Sequence, residues 1–135
     1  MTAVAAALPE DGGAGPKVLI VEDEAIISFL IEDMLRDLGC VVVWHAGSVA
    51  QALARLDAHR PDAVLLDVNL GGELAFPVAE RLDAETVPFV FATGYGRKGI
   101  PPVWAGRPVI QKPFDIDVLA DALKPFLAGA GADRG

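Results

Sequence analysis

With 135 residues, a single cysteine and a formal net charge of −8, the chain has length for one hydrophobic core, too little for two ordinary domains, and no partner for an internal disulfide. The acidic balance argues against a nucleic-acid surface, which needs clustered Lys and Arg to neutralise phosphates. No apolar run approaches the ~18 residues of a membrane span, and the apolar start from Met1 to Leu8 has no basic n-region, so the expectation is a cytoplasmic protein that binds neither nucleic acid nor membrane.

Residues 1–16 are rich in Ala, Gly and Pro without a periodic apolar face, which predicts a disordered leader. The folded domain is expected over residues 17–128, with a flexible tail at 129–135. From Lys17 strand-like and helix-like segments alternate, the pattern of a parallel sheet with helices on both faces. Val18-Leu19-Ile20-Val21 is the first strand. Ile27, Leu30, Ile31, Met34, Leu35 and Leu38 then follow the i, i+3, i+4, i+7 rule of an amphipathic helix, which Gly39 stops. Cys40 to Trp44 reads as the second strand, with Cys40 a small buried residue at its start. Ser48 is placed to cap a second helix whose inward stripe is Val49, Ala52, Leu53 and Leu56.

Pro61 and Asp62 introduce a third strand, Ala63-Val64-Leu65-Leu66-Asp67, and Gly71-Gly72 mark the loop beyond it. A short helix follows, with Pro77 in its first turn and Val78 and Leu82 inward. Pro88 to Ala92 is the fourth strand. Gly94 to Pro108 holds Gly94, Gly96, Gly99, Gly106, Pro101, Pro102 and Pro108; Gly and Pro are the two poorest helix residues, so no long regular helix is expected there. Trp104 reads as a core plug beneath this long loop. After a fifth strand, Val109-Ile110-Gln111, Asp115 can cap a last helix with Val118, Leu119, Ala122, Leu123 and Phe126 inward and Pro125 marking a kink or an end.

If the strands are neighbours and parallel, their carboxyl ends share one edge of the sheet, where open α/β folds place ligand sites. That edge would collect Glu22-Asp23-Glu24, Asp67, Thr93 and Lys112. Carboxylates, a hydroxyl and an ammonium together suit a divalent cation beside a phosphoryl group. Mg²⁺ takes oxygen ligands and usually keeps waters beside one or two carboxylates and a phosphate. Asp23 and Asp67 are the natural direct ligands, and Glu22 reaches the ion directly or through a water. Asp67 is a carboxylate nucleophile able to form an aspartyl phosphate, while Lys112 and Thr93 supply positive charge and a hydroxyl to the phosphoryl oxygens. His45 and His59 lack a second His or Cys at ligand spacing and read as surface or loop histidines.

Val18-Leu19-Ile20-Val21-Glu22-Asp23-Glu24, Leu65-Leu66-Asp67-Val68-Asn69-Leu70, Phe91-Ala92-Thr93-Gly94 and Gln111-Lys112-Pro113-Phe114 match, in order and spacing, the receiver domain of two-component response regulators, so Lys17 to Leu127 resembles that family. The resemblance implies a flavodoxin-like (βα)5 fold, with Asp67 as phospho-acceptor, Glu22 and Asp23 as the acidic pair and the backbone carbonyl of Asn69 as a further Mg²⁺ ligand. It implies contacts from Thr93 and Lys112 to the phosphoryl oxygens and a cis bond before Pro113. Phe91-Ala92-Thr93-Gly94-Tyr95-Gly96, with Leu70-Gly71-Gly72-Glu73, is similar to the atypical, often single-domain receivers named for a Phe-Ala-Thr-Gly-x-Tyr motif. Two departures from the common receiver fit that subgroup: Val109 stands where an aromatic switch residue is usual, and the fourth helix is expected to be short or replaced by a loop.

The partners so implied are a sensor histidine kinase or a histidine phosphotransfer protein. Few residues follow the last helix, so no effector domain is expected, and output would be protein binding or phosphate flow rather than catalysis. An aspartyl-phosphate phosphohydrolase is the alternative in another class, but Val68 and Asn69 after Asp67 lack the Asp-x-Asp arrangement of such enzymes. A structural module that is never phosphorylated would be favoured by loss of the acids or of Lys112, and all are present.

Overall fold

The computed structural model of the protein describes residues 15–134; the leader assigned to residues 1–16 lies, up to residue 14, outside them. Nine elements build the domain: β1 (Lys17–Val21), α1 (Ala25–Asp37), β2 (Val42–Ala46), α2 (Val49–Ala58), β3 (Ala63–Asp67), α3 (Phe76–Ala84), β4 (Phe89–Thr93), β5 (Val109–Gln111) and α4 (Ile116–Arg134). The sheet order is β2-β1-β3-β4-β5, every pairing parallel. This is the flavodoxin-like doubly wound order, with its switch point between β1 and β3.

All five residues of β3 and of β4 are buried, as strands covered on both faces must be. Alternation divides them between two cores. Leu19, Val64, Leu66, Phe89 and Phe91 face α2, α3 and Trp104. Val18, Ile20, Leu65, Val90 and Ile110 face α1 and α4 through Ile31, Leu35, Leu119 and Leu123.

Gly39 (φ 99°) closes α1: Cys40 N–H donates to Leu35 O and Gly39 N–H to Arg36 O, each at 3.0 Å, a Schellman turn. This turn explains a shift in β2. Cys40 is still engaged with the helix, so the ladder opens two residues later than the sequence suggests, pairing Lys17 with Val42 through to Val21 with Ala46, and His45 enters the strand. Cys40 is buried, and that burial pushes its thiol up to about 11. Leu30, expected inward, is 53% exposed; it lies ~100° around the helix from buried Ile31, outside the arc that faces the sheet.

Ser48 caps α2 by accepting from Gln51 N–H at 3.1 Å, and Asp115 caps α4 by accepting from Val118 N–H at 3.0 Å. Val118 itself, expected inward, is exposed, whereas Leu119 and Leu123 are fully buried. α4 does not end at Pro125. Phe126 and Leu127 beyond it pack on the α1-side core and hold the direction across the missing hydrogen bond, and the backbone of residues 129–134, taken as tail, continues this helix. No helix among the described residues is long and apolar enough to cross a membrane.

Candidate functional site

Because the strands are parallel, the residues that follow their last sheet positions come out on the same side. β1 delivers Glu22 and Asp23, β3 ends in Asp67, β4 ends in Thr93, and β5 is followed by Lys112. Glu22, Asp67 and Thr93 are buried, while Asp23 is exposed. The Lys112 ammonium donates to Glu22 Oε1 at 2.9 Å and to Asp67 Oδ2 at 3.0 Å. Backbone amides complete the carboxylates: Glu24 N–H donates to Glu22 Oε2 at 3.1 Å and Asn69 N–H to Asp67 Oδ1 at 3.3 Å. The Thr93 hydroxyl oxygen accepts from Tyr95 N–H at 3.0 Å, which leaves its own proton free to donate elsewhere. Lys112–Pro113 is a cis peptide bond.

Burial raises the Glu22 carboxyl above its ordinary range, against the opposing hydrogen bond from Lys112. Burial alone would lower Lys112, but its hydrogen bonds to Glu22 and Asp67 and their charges outweigh it, so the ammonium is held above the usual lysine value. The site therefore keeps its lysine charged.

Carboxylate oxygens of Glu22, Asp23 and Asp67 lie within 4.8 Å of one another. Lys112 offsets one of these charges, and the donors are hard oxygens, so the residues fit a divalent cation. Asn69 opens a two-stranded hairpin with Glu73–Leu74, its side chain accepting from Gly72 N–H at 2.6 Å. The hairpin roofs the acids. Gly71 lies over Asp23, where a Cβ would sit 3.4 Å from Oδ2, and Glu73 Oε1 accepts from Val49 N–H at 3.3 Å, tying the hairpin to the start of α2.

Two features beside the site escape sequence reasoning. His45 is not in a loop: it lies in β2 with its side chain 31% exposed, and its ring bridges Glu32 Oε1, 2.8 Å from Nε2, and the Ser28 hydroxyl beside Nδ1, so α1 is clasped to the strand. Ser28 and Glu32 stand at i, i+4 on one helix face, a usable signal once the register of β2 is known. His59 is exposed and stacks on Trp44 at 4.5 Å. The second feature is apolar: Ile26, Phe29 and Leu30 on α1 are exposed. Leu30 also lines a groove of 380 Å³ with Ile27, Met34, Pro113 and Phe114, reaching Lys112.

Fold and site together define a small α/β signalling domain with an acid pocket at the switch point. The family model of the response regulator receiver domain matches residues 18–124, and the chain belongs to that family, the receiver domains of two-component response regulators. It is 31% identical to the chemotaxis protein CheY of Bacillus subtilis, over 82% of this chain and 97% of that one. Among solved structures it is similar to SdrG from Sphingomonas melonis Fr1, 46% identical over 84% of this chain and 98% of that one, with a TM-score of 0.74. It is also similar to the receiver domain of the sensor histidine kinase PA1611 from Pseudomonas aeruginosa PAO1, described with a magnesium ion in its active-site cleft, 27% identical over 84% and 98% of the two chains, with a TM-score of 0.72. The chain spans about half the length of the curated relative PdtaR of Mycobacterium tuberculosis, 28% identical over 86% of this chain and 53% of that one.

Proposed function

We propose that this receiver takes a phosphoryl group from a phosphohistidine of a sensor histidine kinase or phosphotransfer protein onto Asp67, in a Mg²⁺-dependent reaction in the cytoplasm. The observation that carries this reading is the convergence of Asp67 with Lys112, Glu22 and Asp23 at one strand edge. A carboxylate oxygen of Asp67 attacks phosphorus, the P–N bond breaks, and its electron pair returns to the imidazole of the donor. Lys112 stands on Asp67 Oδ2 and can pass to a phosphoryl oxygen as the carboxylate loses its charge. Thr93 offers its free hydroxyl proton to a second oxygen. Glu22, Asp23, Asp67 and the backbone carbonyl of Asn69 would hold Mg²⁺, which when bound offsets the charge of donor and acids. Asn69, two residues after Asp67 where an Asp-x-Asp arrangement has its second carboxylate, is an amide, so that position supplies no general acid for turnover of small phosphate esters.

The finer assignment is to the atypical receivers with the Phe-Ala-Thr-Gly-x-Tyr motif. It is supported by Phe91-Ala92-Thr93-Gly94, the first four residues of that motif, with Tyr95 directly after them and Gly96 at the sixth place, by Val109 in place of a ring, by the absence of an α-helix between β4 and β5 and by the likeness to SdrG. Acting alone, such a receiver would signal by protein binding or phosphate flow. The exposed Ile26, Phe29 and Leu30 beside the acid pocket suit docking of the donor's apolar helical surface.

The test is phosphotransfer from a panel of phosphorylated histidine kinases. Label should reach the wild-type chain with Mg²⁺ from one or few kinases, and neither the chelated sample nor Asp67→Asn should take it up. Equal labelling of Asp67→Asn would refute the assignment.

A further inference from the structure

The connection after β4 folds back onto Thr93 through two short turns, Gly96–Gly99 and Pro102–Trp104. Two glycines of the first turn are needed for different reasons. Gly96 has φ +59°, a left-handed backbone that favours glycine. Gly99 has no such backbone; what it lacks is space, because a Cβ there would sit 2.9 Å from Thr93 Oγ1 and 3.6 Å from Tyr95 Cβ. Gly94, adjacent to Thr93 in sequence, is the contrast: a Cβ there would meet nothing within 4 Å.

We infer that Gly99 is a positioning residue for the phosphorylation site: its bare backbone leaves the Thr93 hydroxyl the room to stay turned toward the loop while Asp67 is unmodified. This rests on the reading of Asp67 as phospho-acceptor and Thr93 as a phosphoryl contact. In the present arrangement the hydroxyl oxygen is held by Tyr95 N–H with Gly99 against it. A methyl group at position 99 would crowd that arrangement and leave the backbone unstrained. Relief comes when the hydroxyl swings from the loop toward a phosphoryl group on Asp67, whose strand lies beside β4 with Asp67 paired to Ala92. Gly99→Ala therefore raises the free energy of the resting arrangement more than that of the phosphorylated one. The substitution should favour the activated state without touching phosphoryl group or metal.

The experiment measures binding of beryllofluoride with Mg²⁺ to the full chain as wild type, Gly99→Ala, Gly94→Ala, Thr93→Ala and the Thr93→Ala/Gly99→Ala double variant, each checked by thermal melting. An off-rotamer hydroxyl corresponds to about a two- to tenfold change in a binding constant. Gly99→Ala should bind tighter by that factor, Gly94→Ala should match wild type, and the gain should vanish in the Thr93→Ala background, where the crowded atom is gone. Unchanged or weaker binding by Gly99→Ala overturns the inference, and so does an equal gain without the Thr93 hydroxyl. If Gly99→Ala fails to fold, folding of the double variant upholds the contact as the cause, and failure of both refutes it. Wild-type chain that binds no beryllofluoride overturns the parent reading of the site and this inference with it.

Discussion

Between β3 and β4 the chain covers the sheet with a hairpin and the helix α3; between β4 and β5 it covers the same face with two single turns. The first connection buries Val78, Ala79 and Leu82 along a helix face. The second does comparable work with one ring: Trp104 is 7% exposed and sits edge-on to Phe89 and Phe91 at 5.9 and 6.0 Å. Two arginine side chains brace the turns, one through backbone carbonyls and one through a ring and an ion pair. Arg97 donates to Ala105 O and Arg107 O at 3.1 and 3.3 Å, and Arg107 lies 5.2 Å over the Phe89 ring while pairing with Asp83 of α3. A stretch of chain can thus be irregular and still anchored, because core coverage depends on buried area rather than on helical regularity.

The sharpest way to break the comparison is to remove the ring. Trp104→Ala should destabilise the domain by about 3–5 kcal/mol in urea unfolding, against about 2–5 kcal/mol for Leu82→Ala in the helical connection. A cost near zero for Trp104→Ala would make the second connection a loose cover. Arg107→Ala should cost less, about 1 kcal/mol, since exposed cation–π contacts and surface ion pairs are each worth little. Asp83→Ala, which removes only the ion pair, should cost less again by the same measurement.

The two connections should also differ in their response to the site. Thr93 begins the second one, and its backbone hydrogen bonds are few enough to rearrange locally. Adding Mg²⁺ with beryllofluoride should change hydrogen exchange across residues 94–108, by reordering the turns, while the amides of α3 keep their protection. Change confined to α3 would contradict this difference.

Much of this was legible in the chain because the signals were local and periodic. Runs such as Ala63 to Asp67 and Pro88 to Ala92 announce buried strands, and Ser48 and Asp115 cap the helices they precede. The meeting of Glu22, Asp23, Asp67 and Lys112 followed from one topological premise, parallel neighbours, that the sheet order satisfies. What stayed hidden depended on tertiary detail. The register of β2 moved because Cys40 belongs to the turn closing α1, and that shift concealed the clasp of His45 on Ser28 and Glu32. Leu30 and Val118 match the apolar pattern yet lie on the solvent flank, since a wide stripe does not state where the sheet ends. Pro125 reads locally as a kink or an end, and which of the two holds depends on the packing of Phe126 and Leu127, with α4 running past it.

The central claim is that Asp67, among all the acids gathered at this edge, is the group that carries phosphate. Treating the phosphorylated chain with borohydride reduces an acyl phosphate to an alcohol, which converts the modified aspartate to homoserine, and peptide mass spectrometry then reads its position. The account predicts homoserine at position 67 alone, dependent on Mg²⁺. Homoserine at position 23, a reduced glutamate at position 22, or phosphate retained at a histidine with Asp67 intact would contradict it.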